Sequence, residues 1–307
     1  MDYKVSVIIP VYNGSKYLQR AVQSALALEE VGEIIIVDDG SSDDSAGIAR
    51  ELGAKNKSIK FFQHPDKKNH GPAASRNMGI RNASFDFIAF LDADDYYLPN
   101  RFKTEKEIFI KQPDVDGVYG CLQNVFENDV SRDLFYKTET DEIHGMSESV
   151  PPEKLFKALI SFGYGRVCLQ VVTVKKDAMV SVGLFNENLR WSEDTELWLK
   201  LAIKKKLVGG DLKNPGCIRW VHENNSIHQH EKALQQRLQM YQSLLQWTVQ
   251  QKCSFGISNN VFNAWKEYLL KTENKTSEKE LFRKMIANFP NIIFHSFFWK
   301  KLKLIFF

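Results

Sequence analysis

The first hundred residues alternate between two hydrophobic periods, and this alternation constrains the fold more than any other feature of the chain. Val5-Ser6-Val7-Ile8-Ile9-Pro10-Val11 is a short apolar run rich in β-branched residues, as a strand buried on both faces requires. Asn13-Gly14-Ser15 breaks it, and beyond Tyr17 the residues Leu18, Val22, Ala25 and Leu26 fall on one helical face. Glu33 to Val37 predicts a second strand, ended by Asp38-Asp39-Gly40-Ser41-Ser42. Helix, strand, helix and strand follow over residues 43–52, 59–62, 73–82 and 87–91. Strict alternation of this kind predicts an α/β fold with a largely parallel sheet.

That topology also predicts where chemistry sits, because open α/β sheets bind ligands beyond the carboxyl ends of their strands. The polar clusters fall at those ends: Tyr12-Asn13 after the first strand, Asp38-Asp39 after the second, Asp92-Ala93-Asp94-Asp95 after the fourth. The later chain is less regular. A helix is expected over 100–111, a strand over 117–120, a polar and acidic loop or irregular insert over 127–149, and a helix opened by Pro151-Pro152. A strand over 167–174 and an amphipathic helix over 193–206 come next. From Ile227 the pattern is mainly helical, with Leu234, Leu238, Tyr241 and Leu245 on one stripe. This divides the chain into residues 1–225, with a first half to about 98 and a second from about 99, and a helical region over 226–307.

Composition narrows the function classes. Forty-one basic and 38 acidic residues leave a net charge of +3, too mild for a dedicated nucleic-acid binder, so no nucleic-acid partner is expected. The four cysteines form no Cys-x-x-Cys pair, which argues against a zinc knuckle or dithiol redox site. No stretch approaches the roughly 18 apolar residues of a membrane span, and the N-terminus lacks a signal-peptide pattern. A cytoplasmic location is therefore expected. Asn291 to Phe307 mixes Phe294, Phe297, Phe298, Trp299, Ile305 and Phe306 with Lys300, Lys301 and Lys303 and contains no acid. Such a segment suits either peripheral contact with an anionic membrane or docking on the protein's own core.

Four constellations carry candidate chemistry. Asp92-Ala93-Asp94 puts negative charge at a sheet edge, where it holds a divalent cation such as magnesium or manganese or simply caps a turn. Asp38-Asp39 suits the hydroxyls of a ribose or the N–H of a base, or an Asp/Ser turn into a helix. Arg76, in His70-Gly71-Pro72-Ala73-Ala74-Ser75-Arg76-Asn77, suits a phosphate or base, or a solvated helix face. Ser192-Glu193-Asp194 reads as a helix start with Ser192 as N-cap, where a carboxylate can also act as general base. No G-x-G-x-x-G follows a strand and no G-x-x-x-x-G-K-[ST] loop is present, which disfavours dinucleotide and P-loop sites.

Taken in order, VSVIIPVYN (5–13), IVDDGSS (36–42), GPAASRNMG (71–79), IAFLDADD (88–95) and GLFNE followed by SED (183–187, 192–194) resemble family 2 glycosyltransferases over roughly residues 4–220. The resemblance implies a GT-A fold: a mostly parallel nucleotide-binding sheet flanked by helices, here with a C-terminal helical extension. It also implies inversion at the anomeric carbon, a Mn2+ or Mg2+ cofactor, a nucleotide-diphosphate sugar donor with a UDP-sugar foremost, and a saccharide or lipid-linked saccharide acceptor. By the same resemblance Pro10, Tyr12 and Asn13 line the nucleotide pocket, Asp39 binds the base and Arg76 lies near base or phosphate. Asp92 and Asp94 form the metal and ribose site, with Asp94 the more direct ligand; Asp194 is the catalytic base and Glu193 orients it or the acceptor. Arg219-Trp220 resembles part of the Q-x-x-R-W signature of processive synthases, but Gly216 stands in place of the glutamine, which favours single-sugar addition. His222 reads more simply as a structural histidine. Two other classes share this logic: a non-catalytic nucleotide- or carbohydrate-binding protein of the same fold, and a nucleotidyltransferase, which would carry a glycine-rich basic loop after the first strand.

Overall fold

The computed structural model describes residues 3–137, 141–161, 165–223, 225, 230–272 and 283, with side chains over 236–270 in the long C-terminal stretch. Asn291 to Phe307, the segment suited either to membrane contact or to docking on the core, lies outside the described residues. The chain separates into two compact units, residues 1–228 and 229–307.

The first unit begins with β1 (Val5–Val11), α1 (Leu18–Leu26), β2 (Val31–Asp38), α2 (Ser45–Lys55), β3 (Ile59–Gln63), α3 (Pro72–Asn82) and β4 (Phe87–Phe90). It continues through β5 (Tyr96–Tyr97), α4 (Lys103–Lys111), β6 (Gly117–Tyr119), β7 (Cys121–Phe126), α5 (Asp129–Phe135), β8 (Ile143–Gly145) and α6 (Pro152–Ser161). The remaining elements are β9 (Val172–Lys175), α7 (Lys176–Val182), α8 (Glu193–Lys204), β10 (Leu207–Gly209) and β11 (Cys217–Val221).

Seven strands form the main sheet in the order β10-β6-β9-β4-β1-β2-β3. β1 runs parallel to both its neighbours, β2 and β4, and β3 extends the parallel run beyond β2. Only β9 runs against its neighbours, β4 and β6, so the sheet is mostly parallel, as the alternation predicts. Val5, Val7, Ile8, Ile9 and Val11 are all buried, which explains why β1 reads as a continuous apolar run rather than an alternating one. Each such side chain contributes about 1.5–3 kcal/mol of burial. The buried Ser6 is satisfied by donating its hydroxyl to Glu33 Oε1 at 2.6 Å. α3 sits so close to the sheet that a Cβ on Gly79 would lie 2.5 Å from Ile8 Cγ2.

A smaller sheet, β5-β11-β7-β8, stands beside the first, with β7 and β11 parallel. Here the structure departs from the pattern reading. The expected loop over 127–149 contains α5, held by a capping box in which Asn128 Oδ1 accepts from the Ser131 amide at 2.8 Å and the Asn128 amide donates to Ser131 Oγ at 3.2 Å. Seven residues are too few to show a helical period, and the buried Phe135, edge-on to Phe126 at 5.2 Å, anchors them instead. The expected strand over 167–174 is extended only from Val172. A 3-10 turn, Leu169–Val171, precedes it, and within it the buried Gln170 reaches the carboxylates of Asp92 and Asp95.

The second unit contains α9 (His230–Gln250) and α10 (Phe255–Thr272). Among the described residues its buried hydrophobic side chains are Met240, Tyr241, Leu244 and Leu245 with Val261, Phe262, Trp265 and Leu269. Tyr241 and Leu245 belong to the expected stripe, whereas Leu238 is only partly buried. Among the described residues no helix is long and apolar enough to cross a membrane.

Candidate active site

Each strand of the parallel run delivers polar residues to the sheet edge as it ends. After β1, Pro10 is half-buried, the Tyr12 side chain is exposed, and Asn13 takes a left-handed conformation with φ 51°. Asn13 Oδ1 accepts from the Ser42 amide at 2.8 Å, and Ser41 Oγ accepts from the Asn13 amide at 3.0 Å. The first two strand-end loops are therefore bolted together.

After β2, Asp38 and Asp39 are both buried. Asp38 Oδ2 accepts from Gln63 at 2.8 Å and more weakly from the Gly40 and Ser41 amides, while its buried Oδ1 has no partner among the described residues. Asp39 turns the other way. Its two oxygens accept the amides of His70 at 2.8 Å and Gly71 at 2.9 Å, the residues that open α3. Gly71 has φ 92°, a conformation glycine adopts without strain. Asp39 thus fixes the start of the helix that carries Arg76, and the second lone pair on each carboxylate oxygen is left for a further donor. His64 lies 3.4 Å from Asp39 and 2.9 Å from Ser75 Oγ, and burial lowers its pKa.

After β4, the three carboxylates of Asp92, Asp94 and Asp95 part company. Asp92 Oδ1 accepts from Arg76 Nη2 and Oδ2 from Gln170 Nε2, each at 2.9 Å. Asp95 is buried, accepts from Gln170 Nε2 at 2.7 Å and from the Trp220 amide at 2.9 Å, and is pushed well above the usual carboxylate range by burial and by Asp94 and Asp92. Asp94 faces β11 and the residues after it: Oδ2 lies 3.1 Å from His222 Nε2 and accepts from Asn225 Nδ2 at 3.0 Å. Its carbonyl accepts from Arg20 Nη2 at 2.7 Å, a guanidinium packed against the rings of Tyr96 and Trp220.

The α8 start completes the site. Ser192 stands at the N-cap position, but φ is 62° and its side chain caps nothing, so the expected Ser192 cap is not formed. The conformation turns the chain sharply and brings Glu193 inward. Glu193 Oε1 accepts from Arg76 Nη1 at 2.6 Å, and burial pushes its carboxyl up to about 7 against the pull of Arg76 and with the help of Asp194. Asp194 Oδ1 accepts from the Thr195 amide at 2.6 Å, and no described residue hydrogen-bonds Oδ2. Arg76 is therefore buried between Asp92 and Glu193, with its guanidinium 5.7 Å from the Phe185 ring.

Among the described residues no three His, Cys, Asp or Glu side chains are grouped to hold a metal ion. Asp94 offers a carboxylate oxygen, the donor that magnesium and manganese take, and His222 brings an imidazole nitrogen to 3.1 Å from it. Motif reading passed over Asn225 and Gln170, and took His222, in Arg-Trp-Val-His, for a structural histidine. A glutamine within an otherwise apolar run was the one available signal for Gln170; for Asn225 and for the partner of His222, only the pairing of β11 with β7 and the fold of the following turn bring them to Asp94.

Comparison with known proteins agrees with this architecture. The model of the Glycosyl transferase family 2 matches residues 6–165. The chain is 36% identical over 220 residues to the uncharacterized glycosyltransferase RC0461 of Rickettsia conorii, covering 68% of this chain and 32% of that protein. It is 41% identical over 209 residues to the succinoglycan biosynthesis protein ExoU of Rhizobium meliloti, covering 64% of this chain and 56% of ExoU. The chain thus spans about a third of the first relative and somewhat more than half of the second. In structure it resembles S. aureus TarS 1-349 in complex with UDP-GlcNAc, with a TM-score of 0.66 and 17% identity over 93% of this chain and 81% of that one. It also resembles the mannosyltransferase PcManGT of Pyrobaculum calidifontis in complex with GDP-Man and Mn2+, with a TM-score of 0.56 and 13% identity over 98% and 83%. At these identities the structural likeness is one of fold. The family match extends over more than half the residues, and the chain belongs to glycosyl transferase family 2.

Proposed function

We propose that the chain moves a single sugar from a nucleotide-diphosphate donor to a hydroxyl acceptor with inversion, in the synthesis of a surface polysaccharide or glycolipid. The observation that carries this reading is the reach of one guanidinium. Arg76 hydrogen-bonds both Asp92, beside the Asp94–His222 pair, and Glu193, beside Asp194, so the proposed leaving-group and base sides lie within one side chain of each other. A UDP-sugar is the favoured donor, supported by the likeness to TarS, and the similarity to ExoU supports an acceptor on the way to a polysaccharide.

In this reading Pro10, Tyr12, Asn13 and Asp39 receive the nucleoside. Asp39, fixed by two amides, presents its remaining lone pairs to the base as a rigid acceptor. Asp94 and His222 would hold Mn2+ or Mg2+, which when bound supplies Lewis-acid stabilisation of the diphosphate leaving group. Asp194 takes the proton of the acceptor hydroxyl at Oδ2, while the Thr195 amide holds Oδ1. Glu193, tied to Arg76, fixes the helix start that aims it. Asp92, expected beside the metal, serves through its bonds to Arg76 and Gln170.

The test is incubation with a panel of nucleotide sugars, manganese and hydroxyl acceptors while nucleotide release and product are followed. Release of nucleoside diphosphate with a β-linked product from an α-linked donor supports the reading. Nucleotide binding without turnover on any donor points to the non-catalytic alternative, and pyrophosphate release from a nucleoside triphosphate to a nucleotidyltransferase.

A further inference from the structure

The bonds that Arg76 makes to Glu193 and Asp92 belong to a longer, continuous polar chain. It runs from Glu193 at the start of α8 to Arg76 (2.6 Å), Asp92 (2.9 Å), Gln170 (2.9 Å), Asp95 (2.7 Å) and the Trp220 amide in β11 (2.9 Å). One end adjoins Asp194; the other lies two residues before His222, which faces Asp94. Apart from Asp92, its side chains are nine-tenths or more buried. Resting on the proposed transferase reading, we infer that Arg76 and Gln170 are positioning residues: they clamp Asp92 from both sides and so fix Asp194 relative to Asp94.

Three features support a positioning role over donor contact. Arg76 has both terminal nitrogens committed to carboxylates, and its fork geometry makes such a pair directional as well as strong. Its Nε is buried with no partner among the described residues and the side chain is only 6% exposed, so the guanidinium is enclosed by protein. Gln170 gives its two amide protons to two different carboxylates, which a hydrocarbon or an acid could not do, and it comes from a 3-10 turn whose only polar side chain it is. Arg76 and Gln170 are supplied by α3 and the turn before β9, so the carboxylates of two further segments are registered against elements packed on the main sheet.

The test compares Arg76→Lys, Gln170→Met and the double variant with wild type. Binding of UDP with Mn2+ is measured by calorimetry, release of UDP from UDP-GlcNAc by steady-state kinetics, and folding by circular dichroism and unfolding midpoint. A positioning role predicts UDP dissociation constants within about threefold of wild type and kcat for UDP release at least tenfold lower in each single variant. The double variant should lose less than the product of the two, because both act through Asp92. A tenfold weaker affinity for UDP with kcat retained would make Arg76 a donor contact and overturn the inference. So would wild-type kcat in folded variants, or a fall in the unfolding midpoint as the sole effect. Should wild type itself neither bind UDP with Mn2+ nor release it, the transferase reading with this donor falls, and that failure is recognised without reference to the variants.

Discussion

Asp194 and Glu193 are adjacent carboxylates with opposite surroundings, and the difference defines what each can do. Asp194 holds one oxygen to the Thr195 amide, whereas Glu193 is enclosed against Arg76. If Asp194 is the base, Asp194→Asn lowers turnover about 10²- to 10⁴-fold with nucleotide affinity kept, read by kinetics beside calorimetry. Glu193 predicts a pH effect. Its carboxyl is raised to about 7 in the folded protein, whereas the unfolded chain ionises near the ordinary glutamate value of about 4.3. Between those values the folded state holds a proton that the unfolded state has released, so this contribution to stability is whole below about pH 4.3 and is lost as pH rises through 7. Wild type should therefore lose stability relative to Glu193→Gln between pH 5 and 8, and parallel melting curves across that range would refute it. Neither environment can be read from the acidic tripeptide, because the difference arises from Arg76 in another segment.

At the scale of elements, α3 ties the proposed nucleotide side of the site together. Its first turn is gripped by Asp39, its middle supplies Arg76, and Gly79 near its end lets it lie against β1. Two effects compete in Gly79→Ala. Helix propensity would stabilise by about 1 kcal/mol, but a Cβ 2.5 Å from the buried Ile8 forces repacking that typically costs about 1–3 kcal/mol. Because Ile8 is β-branched and enclosed, steric crowding should win, and Gly79→Ala should lower stability to denaturant; a stabilised variant would show that the helix can shift freely. α5 offers a simpler case. Removing its cap with Asn128→Ala should cost about 1 kcal/mol, seen as a lower denaturation midpoint with unchanged slope. The parallel elements were legible because strands buried on both faces announce themselves as apolar runs. α5 and the 3-10 turn were not, since a seven-residue helix and a single turn are decided by one buried aromatic or one cap.

For the whole molecule, ligand binding and folding are linked. A donor nucleotide that binds only the folded state raises stability by about 2.7 kcal/mol at a concentration a hundred times its Kd. UDP and Mn2+ together should raise the unfolding midpoint more than the sum of either alone, and Asp94→Ala should remove the part that depends on manganese. A manganese effect that survives in Asp94→Ala, measured by scanning calorimetry, would place the ion elsewhere.

The order of strands and helices through the first hundred residues, the mostly parallel sheet and the family were all contained in the sequence. They follow from local periodicity and from short motifs whose residues lie side by side along the chain. Which carboxylate faces which partner was decided only by tertiary structure. Asp92, Asp94 and Asp95 occupy four consecutive positions with Ala93, yet one is clamped by Arg76 and Gln170, one meets His222 and Asn225, and one is buried against β11. A hydrogen bond between segments a hundred residues apart leaves no periodic trace in either, so the division of labour among these acids is set by the packing that brings α3, α8 and β11 to one sheet edge.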